Sequence, residues 1–239
     1  MPARLIAVGV GPGDPELLTR KAERILRSVP VIYAPTGAAD AASYALAIVE
    51  PFLDRARQEV LTRTFPMTRD ESELIPLWEE TAAELAQRVR AGQDVAFITI
   101  GDPLLYSTFL YLYRIFRDKY PEIDIEIVPG ITSVGAAAAA AGVSLGISAD
   151  RLAILPATYE EEQLRQTLVE FDTVVLMKVS RVFDRVFALL SELGLEKSSV
   201  FVRRVGSSEE EVVTNLSSLV GKKLDYLSLL IVRKSALQG

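Results

Sequence analysis

The chain has 239 residues, 26 of them Lys or Arg and 32 Asp or Glu, for a formal net charge of −6. Its hydrophobic share of 49% suffices for one large domain or two of modest size, and the acidic balance argues against a general nucleic-acid or membrane-surface binder. Cysteine and histidine are both absent, which excludes disulfides, thiolate chemistry and the commonest general base; only carboxylates would be left to ligate a metal, and no protein-bound metal is expected.

In chain order, residues 5–10 read as a strand that runs into the turn Gly9-Val10-Gly11-Pro12-Gly13-Asp14, with a helix expected over 15–28. A strand over 29–33, a helix over 41–53 and a short strand over 59–62 follow. The helix over 72–91 carries the stripe Leu74, Leu77, Trp78, Ala82, Leu85 and Val89 and stops at Gly92. The apolar run 94–100 is a strand of the kind buried on both faces of a parallel sheet, and it ends at Gly101-Asp102-Pro103. A helix over 106–119 and an alternating strand over 123–128 lead to Pro129-Gly130, the expected domain boundary, giving domains of 1–129 and 130–239.

Beyond it, an Ala-rich helix from about residue 132 precedes a strand (152–155), a helix (160–171), a strand (173–177), a helix (182–193) and a strand (200–205). Segments 211–214 and 226–232 read as a paired finish joined through 219–223. The fold class expected is α/β in two domains, with a mostly parallel N-terminal sheet and a mixed C-terminal one. Residues 127–149 hold no charged side chain, but their Ala, Gly and Ser content reads as a buried helix rather than a membrane span. With no secretory signal in view, the expected location is the cytoplasm.

Strand ends in such sheets are where ligands sit. The first turn looks like a phosphate cradle, yet Pro12 removes a donor N–H, Asp14 and Glu16 place negative charge at the helix start, and Glu16 stands where a dinucleotide fingerprint needs glycine. A tight turn without a ligand is one reading; a phosphate-free, cationic ligand such as S-adenosylmethionine is the other. Gly101–Thr108 supplies a second strand-end loop. Pro129–Ser133 supplies a third, with Thr132 or Ser133 able to cap the Ala-rich helix.

With VGVGPGDPELLTRKA (8–22), GDPLLYST (101–108) and PGITS (129–133) in this order and spacing, the chain resembles the tetrapyrrole methyltransferases that use S-adenosylmethionine. Segments 64–70, 94–113, 175–181 and 225–234, together with Trp78, narrow the likeness to the branch that methylates C-20 of precorrin-2 or cobalt-factor II. The resemblance implies two α/β domains with the cofactor between them, usually in a homodimer. It places Pro12, Gly101, Asp102, Leu105, Tyr106, Thr132 and Ser133 around the cofactor, and Met177, Ser228 and Leu229 around its adenine. The family often has Pro-Ala near 228–229, and this chain does not.

Methyl transfer from a sulfonium to an electron-rich carbon needs no protein nucleophile, which suits a chain without His or Cys. The proton that leaves C-20 has Asp102, Tyr106 or water as acceptors. The substrate implied is a polycarboxylate, so an acidic protein needs a local basic patch, for which Arg63, Arg69, Lys178, Arg181, Arg203 and Arg204 are candidates. Leu104, Tyr106, Phe109, Tyr111 and Tyr113 are candidate apolar walls for the ring. Methylation at another tetrapyrrole position, for example of uroporphyrinogen III, methylation of a protein side chain, and a non-catalytic S-adenosylmethionine-binding module are the competing readings.

Overall fold

The computed structural model describes residues 2–37, 43–66 and 71–234. The chain divides into two compact units, Met1–Thr132 and Ser133–Gly239, against the 1–129 and 130–239 expected.

Unit 1 holds strands β1 (Leu5–Gly9), β2 (Val31–Thr36), β3 (Glu59–Thr64), β4 (Val95–Thr99) and β5 (Ile125–Val128) in the order β3-β2-β4-β1-β5, every pair parallel. The continuous apolar runs of β1 and β4 put them at the centre, where all ten residues are buried. Helices α1 (Arg20–Leu26), α2 (Tyr44–Val49), α3 (Glu71–Arg90) and α4 (Phe109–Lys119) accompany the strands. One face buries Leu26, Ile25 and Ile48 against Ile6 and Ile98. The other buries Leu85, Phe109 and Phe116 against Tyr33 and Phe97. Trp78, expected on the core stripe of its helix, is 4% exposed and stacks between Phe65 and Tyr111 at ring centroid distances of 3.9 and 5.3 Å.

Several boundaries in unit 1 differ from expectation, and three of them have a local cause in capping, strand pairing or backbone conformation. The helix expected from residue 15 is a single 3-10 turn, Pro15–Leu17; the chain then extends at Leu18, and Thr19 caps α1 by accepting from Ala22 N at 3.2 Å. The strand expected at 29–33 runs on to Thr36, because Pro35 faces only β3, where its missing N–H leaves no gap in a second ladder. The helix expected from 106 begins at Phe109, since Tyr106 adopts φ +51° and Ser107 Oγ accepts from Phe109 N. The expected start of α2, residues 41–42, lies outside the described residues.

Unit 2 holds β6 (Leu152–Pro156), β7 (Thr173–Met177), β8 (Ser199–Arg203), β9 (Glu211–Val213) and β10 (Ser228–Arg233), with helices α5 (Ser133–Ala141), α6 (Glu161–Glu170) and α7 (Phe183–Glu192). The order is β6-β7-β10-β8-β9, with β6 and β7 parallel and the other pairs antiparallel. The paired finish expected for 211–214 and 226–232 does not form. β9 pairs with β8, and β10 inserts between β7 and β8. Burial accords with it: all six residues of β10 are buried, as a central strand requires, whereas Glu211 and Val212 of β9 are exposed, as suits an edge. No described helix is long and apolar enough to cross a membrane.

Candidate active site

Three glycine-bearing turns meet at the carboxyl ends of β1, β4 and β5 in unit 1. Gly11 and Gly101 exchange two backbone hydrogen bonds, Gly101 N to Gly11 O at 2.8 Å and Gly11 N to Gly101 O at 3.4 Å. Both have positive φ, +79° and +69°, the conformation that lets the strands turn away at once. Gly130 of the third turn lies against both. A Cβ built on Gly130 would overlap the Gly101 carbonyl oxygen and stand 2.8 Å from Gly9 C; one built on Gly9 would stand 2.6 Å from both Gly101 O and Gly130 N. The three backbones are therefore in contact, and no side chain fits between them.

Asp102 ties the second turn to the third. Its Oδ1 accepts from Leu104 N at 2.8 Å and its Oδ2 from Gly130 N at 3.1 Å. At the first turn the carboxylate of Asp14 accepts from Glu16 N at 2.8 Å, so the start of the 3-10 turn carries its own anion. A phosphate would meet that charge and the missing N–H of Pro12. Behind the second turn, buried Thr99 and Ser107 share a hydrogen bond at 3.1 Å that pins the loop to β4. Tyr106 holds a left-handed backbone and is 39% exposed, and Leu104 and Tyr111 are 51% and 54% exposed. Left-handed conformations at bulky residues are costly and concentrate at functional sites. Of the candidate apolar walls, Phe109 is instead fully buried core and Tyr113 leans on it at 6.0 Å between ring centroids.

Pro12, Gly101, Asp102, Leu105 and Tyr106 thus share one end of one sheet, with Thr132 closing the same unit. Ser133, Met177, Ser228 and Leu229 belong to unit 2. There Met177 faces Leu229 across the β7–β10 ladder, and Ser228 opposes Arg203 and donates its hydroxyl to Asp225 O at 2.7 Å. Sequence reasoning named Gly9 and Gly130 only as parts of motifs. Their steric role shows as Gly directly after an apolar run and directly after Pro, but nothing in the string says that the two meet.

The six basic candidates separate by partner. Arg63 is held by Glu80 and Glu84, Arg203 by Glu211 at 2.5 Å, and Arg204 by Glu209 and Asp225 at 2.9 and 2.6 Å. Burial would raise the Asp225 carboxyl, but the Arg204 guanidinium and Leu227 N–H hold it below the ordinary range. Those three arginines are committed to carboxylates, and Arg69 lies outside the described residues. Lys178 and Arg181 have no carboxylate partner among the described residues. Lys178 is half-buried at φ +57° directly after β7, and burial lowers its ammonium below the ordinary lysine range.

A half-buried ammonium without a counter-ion costs the free protein stability and attracts an incoming anion. Lys178→Met is expected to raise stability by up to about 1 kcal/mol, a small gain because water still screens the charge. The folded-state value is depressed, so the gain is present at neutral pH. It fades as pH rises toward the ordinary lysine value near ~10.4, where the wild-type amine is already neutral. Urea denaturation at both pH values checks it, and a destabilised variant at neutral pH would show that the ammonium has a compensating partner.

Residues 4–220 match the family described as Tetrapyrrole (Corrin/Porphyrin) Methylases. The chain is 39% identical to a cobalt-precorrin-2 C(20)-methyltransferase of Salmonella typhimurium, with 98% of each chain covered. It is 31% identical to a precorrin-2 C(20)-methyltransferase of a Sinorhizobium species, over 96% of this chain and 94% of that one. In fold it is similar to a uroporphyrin-III C-methyl transferase of Thermus thermophilus solved with S-adenyl homocysteine, at a TM-score of 0.66 and 22% identity, covering 97% of this chain and 98% of that one.

Proposed function

The chain belongs to the tetrapyrrole (corrin/porphyrin) methylase family, and on that premise we propose that it transfers a methyl group from S-adenosylmethionine to C-20 of precorrin-2, or of its cobalt-bearing counterpart, in cobalamin biosynthesis. The observation that carries the reading is near-complete coverage of two C(20)-methyltransferases together with the three touching turns at the strand ends. The cofactor fits those turns: it brings no phosphate to a loop that already holds the Asp14 carboxylate, and bare glycine backbones permit close approach. When bound it supplies an electrophilic methyl on a sulfonium.

The protein's part is placement. Holding donor and acceptor in line is worth up to roughly 7–11 kcal/mol in favourable intramolecular cases, without any nucleophile. Pro12, Gly101, Asp102, Leu105, Tyr106 and Thr132 would hold the methionine end, and Ser133, Met177, Ser228 and Leu229 the rest. Both oxygens of Asp102 already accept backbone N–H groups, so its work in this reading is to fix the loops. The C-20 proton then goes to water, directly or relayed through the exposed Tyr106 hydroxyl, which gives up its own proton to solvent as it accepts. Any cobalt arrives inside the substrate, no protein-bound metal takes part, and the working form is a cytoplasmic homodimer with domains at 1–129 and 130–239.

The test incubates the protein with labelled S-adenosylmethionine and either metal-free or cobalt-bearing precorrin-2, and locates the new methyl by NMR. Release of S-adenosylhomocysteine with label at C-20 is expected from at least one substrate. Label at another ring carbon overturns the C-20 assignment, and no release with any tetrapyrrole leaves a binding module.

A further inference from the structure

A cavity of about 460 Å³ opens in unit 2 between the connection that leaves β7 and the turn at Gly221. Arg181, Arg185, Lys222 and Lys223 line it, against a single carboxylate, that of Asp184. Asp184 is occupied: its oxygens accept from Gly221 N at 3.1 and 3.3 Å and so hold the 221–223 turn against the start of α7. The concentration of positive charge runs against the chain as a whole, which is net acidic.

The other arginines of unit 2 all have carboxylates: Arg151 with Glu170, Arg165 with Glu192, Arg203 with Glu211, Arg204 with Asp225, and Arg233 with Asp150. Only Arg181 and Arg185 have none among the described residues, and both line this cavity. Arg185 is fixed by the carbonyls of Ala157 and Tyr159, at 3.3 and 2.9 Å, which orient its guanidinium without neutralising it. Arg181 stands close enough to Tyr226 to oppose the upward push that burial gives its phenol. Two guanidiniums without a carboxylate partner among the described residues, one of them oriented by carbonyls, beside two lysines are the chemistry that takes a carboxylate, bidentate at arginine and through a point charge at lysine.

The position of the cavity in the chain narrows the ligand. One wall is the segment that follows Met177, and the other is the segment that leads into Ser228 and Leu229. Those two strand ends are the ones assigned above to the cofactor. We propose that this cavity is a carboxylate-binding subsite, with Arg181, Lys222 and Lys223 taking peripheral carboxylates of the tetrapyrrole. This rests on the proposed function and adds the residues that read the substrate's acidic rim.

The test uses the full chain and a stable octacarboxylate porphyrin, uroporphyrin, as probe, with binding followed by fluorescence quenching. Replacement of the exposed trio, R181A/K222A/K223A, is expected to weaken binding about tenfold, and R181E/K222E/K223E further, while S-adenosylmethionine affinity stays at the wild-type value and reports an intact fold. Binding should also fall with ionic strength, and the porphyrin octamethyl ester should show neither dependence. Unchanged uroporphyrin affinity in both triple variants overturns the subsite. So does displacement of uroporphyrin by micromolar inorganic phosphate, which would make it a site for a small free anion.

Turnover separates this proposal from the one beneath it. A raised KM for the tetrapyrrole in R181A/K222A/K223A supports the subsite. Methyl transfer with an unchanged KM in that variant sinks the subsite and leaves the activity standing. Loss of uroporphyrin binding in the variant, with no methyl transfer by the wild type on any tetrapyrrole, sinks the activity and leaves a carboxylate-binding cavity.

Discussion

Gly130→Ala is expected to cost the protein about 3 kcal/mol or more and to reduce S-adenosylmethionine affinity at least a hundredfold. The added methyl would overlap the Gly101 carbonyl oxygen, with Gly9 directly behind it, and each of these neighbours is backbone that no rotamer change can move. Relief would have to come from parting the three turns, and with them the hydrogen bond from Gly130 N to Asp102. Gly142→Ala is the control: that glycine has positive φ, +65°, which Gly130 does not, but nothing lies within 4 Å of its missing Cβ. Its expected cost is only the backbone strain, about 1 kcal/mol, with cofactor affinity kept. Calorimetric unfolding and isothermal titration separate the two. A Gly130→Ala protein that binds the cofactor normally would mean that the turns part cheaply and that their contact is not the site.

Asp102→Ala is expected to lower kcat/KM by about 10²–10³-fold. It removes the acceptor that joins the second and third turns and leaves the part-buried Gly130 N–H unmatched, while water takes over at the exposed Leu104 N–H, a stability cost of about 1 kcal/mol. Asp102→Asn keeps one oxygen and sets an NH₂ against the other N–H, so it should lose about tenfold to a hundredfold. If Asp102 acted chiefly as the base for the C-20 proton, Asn would be as damaging as Ala. If it holds the loops, Asn recovers part of the rate and most of the cofactor affinity. Single-turnover kinetics with cofactor titrations on both variants decide between these outcomes.

Much of this fold was legible in the residues. The apolar run at 94–100 reads directly as a buried parallel strand, because a strand covered on both faces cannot alternate, and 5–10 reads as a strand. Thr173–Met177 has the bounds expected from its pattern. Errors fell where one hydrogen bond or one pairing outweighs periodicity. The helix start moved to Arg20 because Thr19 caps it, α4 starts after Tyr106 because that residue is left-handed, and β10 entered the sheet between β7 and β8. A strand's neighbours depend on which surfaces remain to be covered, and a linear pattern does not carry that.

For the site, the residue string by itself narrowed the ligand that the strand-end turns could take. Without His or Cys, with Pro12 and Asp14 opposing phosphate and with three glycine turns at strand ends, it pointed to a cationic, phosphate-free ligand or to tight turns without one, because composition and local turn chemistry need no tertiary context; the resemblance carried by the three motifs implied the methyl donor. Only the tertiary structure decided that Gly9, Gly101 and Gly130 touch, that Asp102 spends both oxygens on backbone N–H groups, and which cations remain available. Arg203 and Arg204 looked as suitable as Arg181 in the sequence. The fold gave the first two carboxylates and left the third without one among the described residues, since ion pairing depends on distances across strands and turns that sequence separation does not encode.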